Sequence, residues 1–118
     1  EEALQAERER TAGILESITD GFYALDSEWR FTYVNDEAER LLDRERRYLE
    51  GKSLWQEFPY LVGSTLQEGF ERAMRERTPI TVERFSERLG RWFSIRAYPY
   101  ADGLAVRILG PANPHRAL

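Results

Sequence analysis

The chain has no cysteine, one histidine and one methionine. Without cysteine there is no disulfide framework, no thiolate nucleophile and no cysteine metal site, a pattern that fits a reducing compartment and makes the cytoplasm the expected location. No apolar run approaches the roughly 20 residues that cross a bilayer, so no direct membrane contact is expected. Nor does any block of Lys and Arg stand apart from acids. With 17 basic and 21 acidic residues the net charge is -4, and the basic footprint of a nucleic-acid binder is missing. A Ser/His/Asp set, a P-loop and a dinucleotide glycine motif are all absent. No catalytic residue is therefore named, and any kinase or cyclase activity belongs to another domain of a parent protein. The opening EEALQAERER is neither a signal peptide nor a start methionine, and reads as a fragment of a longer polypeptide whose other parts are free to include membrane spans.

What is present suits one globular domain. The 118 residues are 42% hydrophobic, 13% aromatic and 32% charged, which supports one modest core under a mixed-sign exterior. In residues 1–18, Leu4, Thr11 and Ile18 fall seven apart with Ile14 and Leu15 beside that line, which reads as an amphipathic helix. Such a short helix is marginal alone in water and needs its own domain, a partner's helix, or both to lie on. Asp20-Gly21 breaks it. FYAL, DSE and WRFTYV then read as strand, turn, strand, and Asn35 or Asp36 caps a helix whose apolar face is Ala38, Leu41 and Leu42.

The stretch RERRYLEGKSLWQEFPYLVG is punctuated by Gly51, Pro59 and Gly63 and reads as short helical turns over a sheet. From Ser64 a longer helix carries Leu66, Phe70, Ala73 and Met74 at helical spacing, with Ser64 and Gln67 in the S-x-x-Q capping-box pattern. Gly69 weakens this helix by about 1 kcal/mol relative to alanine. After Thr78-Pro79 come three strands: ITVERFSE, RWFSIRAYPY and LAVRIL.

Two strands, a helical excursion and three sequential strands predict an α+β fold: one antiparallel sheet with helices gathered on one face. The other face does not look wet. RWFSIRAYPY alternates Phe93, Ile95 and Ala97 with Trp92, Tyr98 and Tyr100, and Trp29, Phe31 and Tyr33 are expected to share the outer face of the second strand. Something must cover that face, either the leading helix or a second subunit, so a homodimer is expected. The interface candidates are Leu4, Thr11, Ile14, Leu15, Ile18, Trp29, Trp92 and Tyr98.

In order and spacing, ILESITDGFYALDSEWRFTYVN, AERLL, GKSLWQEFP, the long helix to RTP and LGRWFSIRAYPYADGLAVRIL resemble the PAS domain, the sensory module of histidine kinases and related signalling proteins. The resemblance covers roughly residues 12 to 110. It implies a five-stranded antiparallel sheet whose helical face encloses a small cavity, a dimerising leading helix (1–18), a PAS domain over 19–110, and signal transfer to an output domain of the same polypeptide beyond a 111–118 tail. A non-catalytic sensor is implied, most simply in a bacterial two-component system, with a small-molecule receptor as the alternative. Where many PAS domains close with a D-I-T-like triplet, this chain has Gly110-Pro111-Ala112, and Pro111 removes an amide from any continuing helix or strand.

No cofactor is expected. A cysteinyl-flavin adduct and a thioester-linked chromophore both need the missing cysteine. A haem would take a histidine from the long helix, yet Ser64 to Arg77 contains none. His115 reads as a tail residue, Met74 as core filler, and Glu37, Glu39, Glu68, Glu71 and Glu76 as ion-paired helix surface, leaving no metal site. A small apolar ligand remains open. By alternation and family analogy the cavity is lined by Leu25, Leu41, Leu42, Phe58, Leu66, Phe70, Met74, Phe93 and Ile95, with Tyr23 as a polar handle; the alternative is that these residues are simply core.

Overall fold

The computed structural model describes residues 20–109; the expected leading helix and C-terminal tail lie outside them. Five antiparallel strands form one sheet: β1 (Gly21–Leu25), β2 (Phe31–Val34), β3 (Ile80–Ser86), β4 (Arg91–Tyr100) and β5 (Gly103–Leu109), in the order β2-β1-β5-β4-β3. The first and last strands are therefore central neighbours, with Gly21 opposite Ile108 and Leu25 opposite Leu104. Between β2 and β3 run α1 (Asp36–Leu42), α2 (Arg46–Leu49), α3 (Leu54–Glu57), a 3-10 turn at Pro59–Leu61 and α4 (Thr65–Glu76). All of them gather on one side: α1 packs on β1, α2 on β2, and α4 across β3, β4 and β5. This is the expected α+β arrangement. No helix among the described residues is long and apolar enough to cross a membrane.

The switch from sheet to helices turns on Asn35. Its Oδ1 accepts from Phe22 N at 2.9 Å and from Ala38 N at 2.9 Å, while its Nδ2 donates to Asp20 O at 3.2 Å. One side chain thus caps α1 and fastens the start of β1. It is fully buried, a polar group that is tolerated there because both ends of its amide are bonded. The cap is Asn35 and not Asp36, which sits in the first turn with Glu37 and Glu39 near the positive end of the helix dipole.

The capping box of α4 is offset from the expected one. Ser64 Oγ accepts from Gln67 N at 3.4 Å, but Gln67 Oε1 reaches one residue further back, to Gly63 N at 2.7 Å. Gly69 also gains a reason: a Cβ there would stand 3.0 Å from Val82 and 3.1 Å from Ile80, so its absence lets α4 approach β3 closely. At its far end α4 is tied to the β4–β5 turn by Arg77, whose guanidinium donates to Ala101 O at 2.7 Å and Gly103 O at 3.2 Å.

The open edge of β2 is occupied by the loop beyond α2. Phe31 N donates to Lys52 O at 3.0 Å, Gly51 N to Phe31 O at 2.9 Å, and Leu54 N to Trp29 O at 2.8 Å. These bonds protect an edge from pairing with another chain.

Two substitutions test this framework. Asn35→Ala leaves three buried or half-buried backbone groups short of a partner and is expected to cost about 2 to 4 kcal/mol in a urea unfolding titration. Gly103→Ala places a methyl 1.9 Å from Leu25 O, backbone against backbone. It is expected to abolish the native near-ultraviolet circular dichroism signal, whereas Gly90→Ala, with nothing within 4 Å, strains only its own turn and preserves that signal.

Candidate functional site

The sheet has two faces, one of them covered by the helices. On the helical side, residues aligned by register form continuous rows: Ile80, Ala97, Val106, Tyr23 and Val34 in one, Val82, Ile95 and Ile108 in the next. Every residue expected to line a cavity meets here. Tyr23, Leu25, Phe58, Leu66, Phe70, Phe93 and Ile95 are buried in one cluster, and Leu41, Leu42 and Met74 pack against it half-buried. The cluster is strongly aromatic. Tyr23 meets Phe31 at 5.2 Å between centroids, and Phe31 meets Phe58 edge-on at 6.4 Å. A second run of rings, absent from the predicted lining, passes from Trp29 to Trp55 at 5.3 Å and from Trp55 to Phe70 at 6.2 Å. Trp55 Nε1 is buried with no hydrogen-bond partner. The sequence signal for Trp55 was its place on the apolar side of the short turn SLWQEF.

The expectation that Trp29, Phe31 and Tyr33 share the outer face is corrected. Ala24 pairs with Tyr33 and Leu25 with Phe31, so Thr32 is an extra, unmatched residue: a β-bulge. One extra residue reverses side-chain alternation, sending Phe31 inward to 1% exposure while Tyr33 stays beside Ala24 and meets Phe22 at 5.8 Å on the outer side. Trp29 precedes β2 in a turn, with φ of 68°, and packs inward on Trp55. That turn is held by Asp26, whose Oδ1 accepts from Glu28 N at 2.8 Å and Arg30 N at 2.9 Å. Burial raises the Asp26 carboxyl, but these backbone bonds and the Arg30 guanidinium outweigh it, holding the group below its ordinary value. The outer-face argument for Trp29 as an interface residue falls away.

Trp92 and Tyr98 do lie on the outer side, alternating with buried Phe93, Ile95 and Ala97. One outer row, set by register, runs Tyr33, Ala24, Ala105, Tyr98. Both alanines are 3% exposed yet stand apart from the helical-side cluster. Beyond them Phe85 and Trp92 meet edge-on at 5.7 Å, with Phe85 44% exposed. The candidates Leu4, Thr11, Ile14, Leu15 and Ile18 lie outside the described residues.

The acids expected to be ion-paired surface behave so where α1 meets α2. Arg46 pairs with Asp36 and, at 3.4 Å, with Glu39, while Arg40 pairs with Glu37. Glu39 Oε2 also accepts from Arg46 N at 2.7 Å. The open groove between these helices, about 690 Å³ and lined by acids and arginines together, is a neutralised surface without a directed acceptor or donor set. Among the described residues no group of three His, Cys, Asp or Glu stands ready to hold a metal.

Tyr23 is the one ionisable group inside the cluster. Burial first, and the neighbouring Tyr60 second, push its phenol well above the ordinary tyrosine value. The folded value exceeds the unfolded one, so below about pH 10 both states are protonated and stability is unaffected. Above that, only the unfolded chain ionises and stability falls. The fall in urea midpoint between about pH 9 and 11 is therefore expected to be shallower in Tyr23→Phe than in wild type; parallel curves would place the alkaline sensitivity elsewhere.

The comparisons with known proteins agree with this architecture. The family model described as the PAS fold matches residues 15–110. No curated relative matches in sequence. Among solved structures, the PAS domain of BvgS from Bordetella pertussis is 18% identical, with a TM-score of 0.71 over 95% of this chain and 91% of that one. The photoactive yellow protein domain of the sensor histidine kinase Ppr from Rhodospirillum centenum is 14% identical, with a TM-score of 0.71 over 84% and 92%. The PAS domain of the histidine kinase ThkA is 21% identical, with a TM-score of 0.64 over 77% and 99%. With the sheet order, the one-sided helical layer and a family match over most of its length, the chain belongs to the PAS family.

Proposed function

We propose that this chain is the non-catalytic sensory and interaction domain of a cytoplasmic signal-transduction protein of the sensor histidine kinase type, working as a homodimer and passing its signal to an output domain of the same polypeptide. The observation that carries this reading is the two-sided sheet. Helices occupy one side, yet the other side presents Phe22, Tyr33, Tyr98, Trp92 and Phe85, aromatic surface of the kind that is covered in use. The solved structures it resembles include the PAS domain of the histidine kinase ThkA, a sensory box sensor histidine kinase from Vibrio cholerae and a domain of a sensory box sensor histidine kinase/response regulator from Geobacter sulfurreducens. Light scattering coupled to gel filtration is expected to give a dimer for residues 1–118 and a monomer for the version lacking residues 1–18. A monomer in both at high concentration would remove the dimer from the proposal.

The orphaned Trp55 Nε1 favours a second reading, a receptor for a small aromatic or apolar ligand carrying one hydrogen-bond acceptor. A buried donor without a partner costs about 1 to 3 kcal/mol, which such a ligand recovers. Native mass spectrometry of freshly purified protein is expected to show an adduct that Trp55→Phe loses. A single unliganded mass, with no stabilising compound in a thermal-shift screen, would leave the cluster as core alone.

A further inference from the structure

The two edges of the sheet are unlike. On β2 the edge is closed, because Phe31 N and O are both taken by the loop at Gly51 and Lys52. On β3 it is open: among the described residues, no backbone group of residues 80–85 bonds to any segment but β4. Thr81, Glu83 and Phe85 are exposed along it, and its outward amides and carbonyls form a template for a further strand. Closure of one edge decides how a second copy can use the other. β3 cannot join a neighbour's β2, which would grow an open filament, so it pairs with β3 of the second copy about a two-fold axis.

In an antiparallel pair that continues the sheet, opposite residues share a face, so the axis passes through a residue, and charge selects which one. An axis at Glu83 or Arg84 sets that residue against its own copy, and one at Phe85 sets Glu83 against Glu87. An axis at Thr81 leaves only residues 80–82 paired, because Pro79 has no amide to give. The axis at Val82 has none of these faults. It sets Ile80 against Arg84, Thr81 against Glu83, and Pro79 against Phe85, a ring that is 44% exposed in the single chain. The outer face gains as well. Phe22, Arg107, Arg96 and Thr81 form one row across β1, β5, β4 and β3, and neither arginine makes an ion pair among the described residues. Pairing at Val82 continues this positive row, beyond Thr81, with Glu83 of the second copy. On the helical side Val82 lies beside Gly69 of α4, which has no side chain to crowd the axis.

We propose that the β3 edge is a self-pairing surface, where a second copy of this chain adds its own β3 antiparallel about Val82 to give one continuous ten-stranded sheet. The contact goes beyond the homodimer proposed above and does not depend on its leading segment. It supplies about four to six backbone hydrogen bonds and falls well below the roughly 1,200 Å² of a standard interface. It is therefore a weak lateral contact that joins dimers at high concentration. The cysteine-free chain makes the register readable by cross-linking. Thr81 and Glu83 are exposed, so Thr81→Cys and Glu83→Cys leave the core alone. Each position lies about 5 Å from the other in the second copy and about 8 Å from its own. Under mild oxidation of the 118-residue chain, an equimolar mixture of the two variants is expected to cross-link about fivefold faster than either alone at the same total concentration. In sedimentation equilibrium Thr81→Glu, which sets acid against acid, is expected to abolish association at high concentration beyond the species seen in gel filtration, and Thr81→Glu with Glu83→Lys to restore it. Equal cross-linking in the mixture and the single variants, or a wild type without that further association, overturns the edge contact and leaves the homodimer standing. Faster cross-linking by the mixture in a chain that is monomeric in gel filtration supports the edge contact and overturns the homodimer.

Discussion

The amide of Asn35 is the joint on which the fold depends. A sheet that hands over to helices must terminate one hydrogen-bonding pattern and begin another within a residue or two, and the exposed amides at that point are costly when buried. Asn35 answers both needs, because its carbonyl accepts from the strand (Phe22) and from the helix (Ala38) while its amino group holds Asp20. A carboxylate lacks the donation, and a hydroxyl would have to make all three bonds at one atom, whereas the amide spreads them over Oδ1 and Nδ2. Once β1 and α1 are locked together, Ala38 lies flush against Gly21, where a side chain would meet the Leu41 methyl at 3.0 Å, and the helical layer has its starting point.

From that joint the division between the two sides of the sheet follows, but one residue redraws it. The bulge at Thr32 allows a four-residue strand to present Phe31 to the core and Tyr33 to the opposite side. Without the extra residue the two rings would share a face, and either the core would lose a fully buried phenylalanine or the outer surface a tyrosine. The aromatic content is thereby spread over both sides: a dense cluster around Phe31, Phe58 and Phe70 within, and an aromatic rim around two arginines without.

Much of this was legible from periodicity. The long strand at Arg91–Tyr100 alternates cleanly, the helix from Thr65 has its apolar stripe, and turn residues bracket both, so element types and the one-sided helical layer follow from spacing. All ten residues expected to line a cavity converge, because burial on one face is what a two- or 3.6-residue period encodes. The rest depends on contacts that no local pattern carries. A bulge has no sequence mark of its own here, and Trp29 turns inward because Asp26 shapes a turn whose outcome is tertiary. The pairing of Arg96 with Arg107 is a matter of register between two strands, invisible until the sheet is assembled. The order and spacing of the five motifs identified the family, and the fold agrees.

The place of β1 beside β5 has a consequence for how the domain is wired. Gly21 faces Ile108, so the chain enters and leaves the sheet on adjacent strands at the same end, about one strand spacing of 4.8 Å apart. Everything between them, some 86 residues from Phe22 to Arg107, is a loop hung from a pair of neighbouring backbones. Such a module interrupts a long polypeptide without lengthening the path through it. A slip or twist between those two central strands would displace the incoming and outgoing segments against each other directly, through the ladder of hydrogen bonds that joins them.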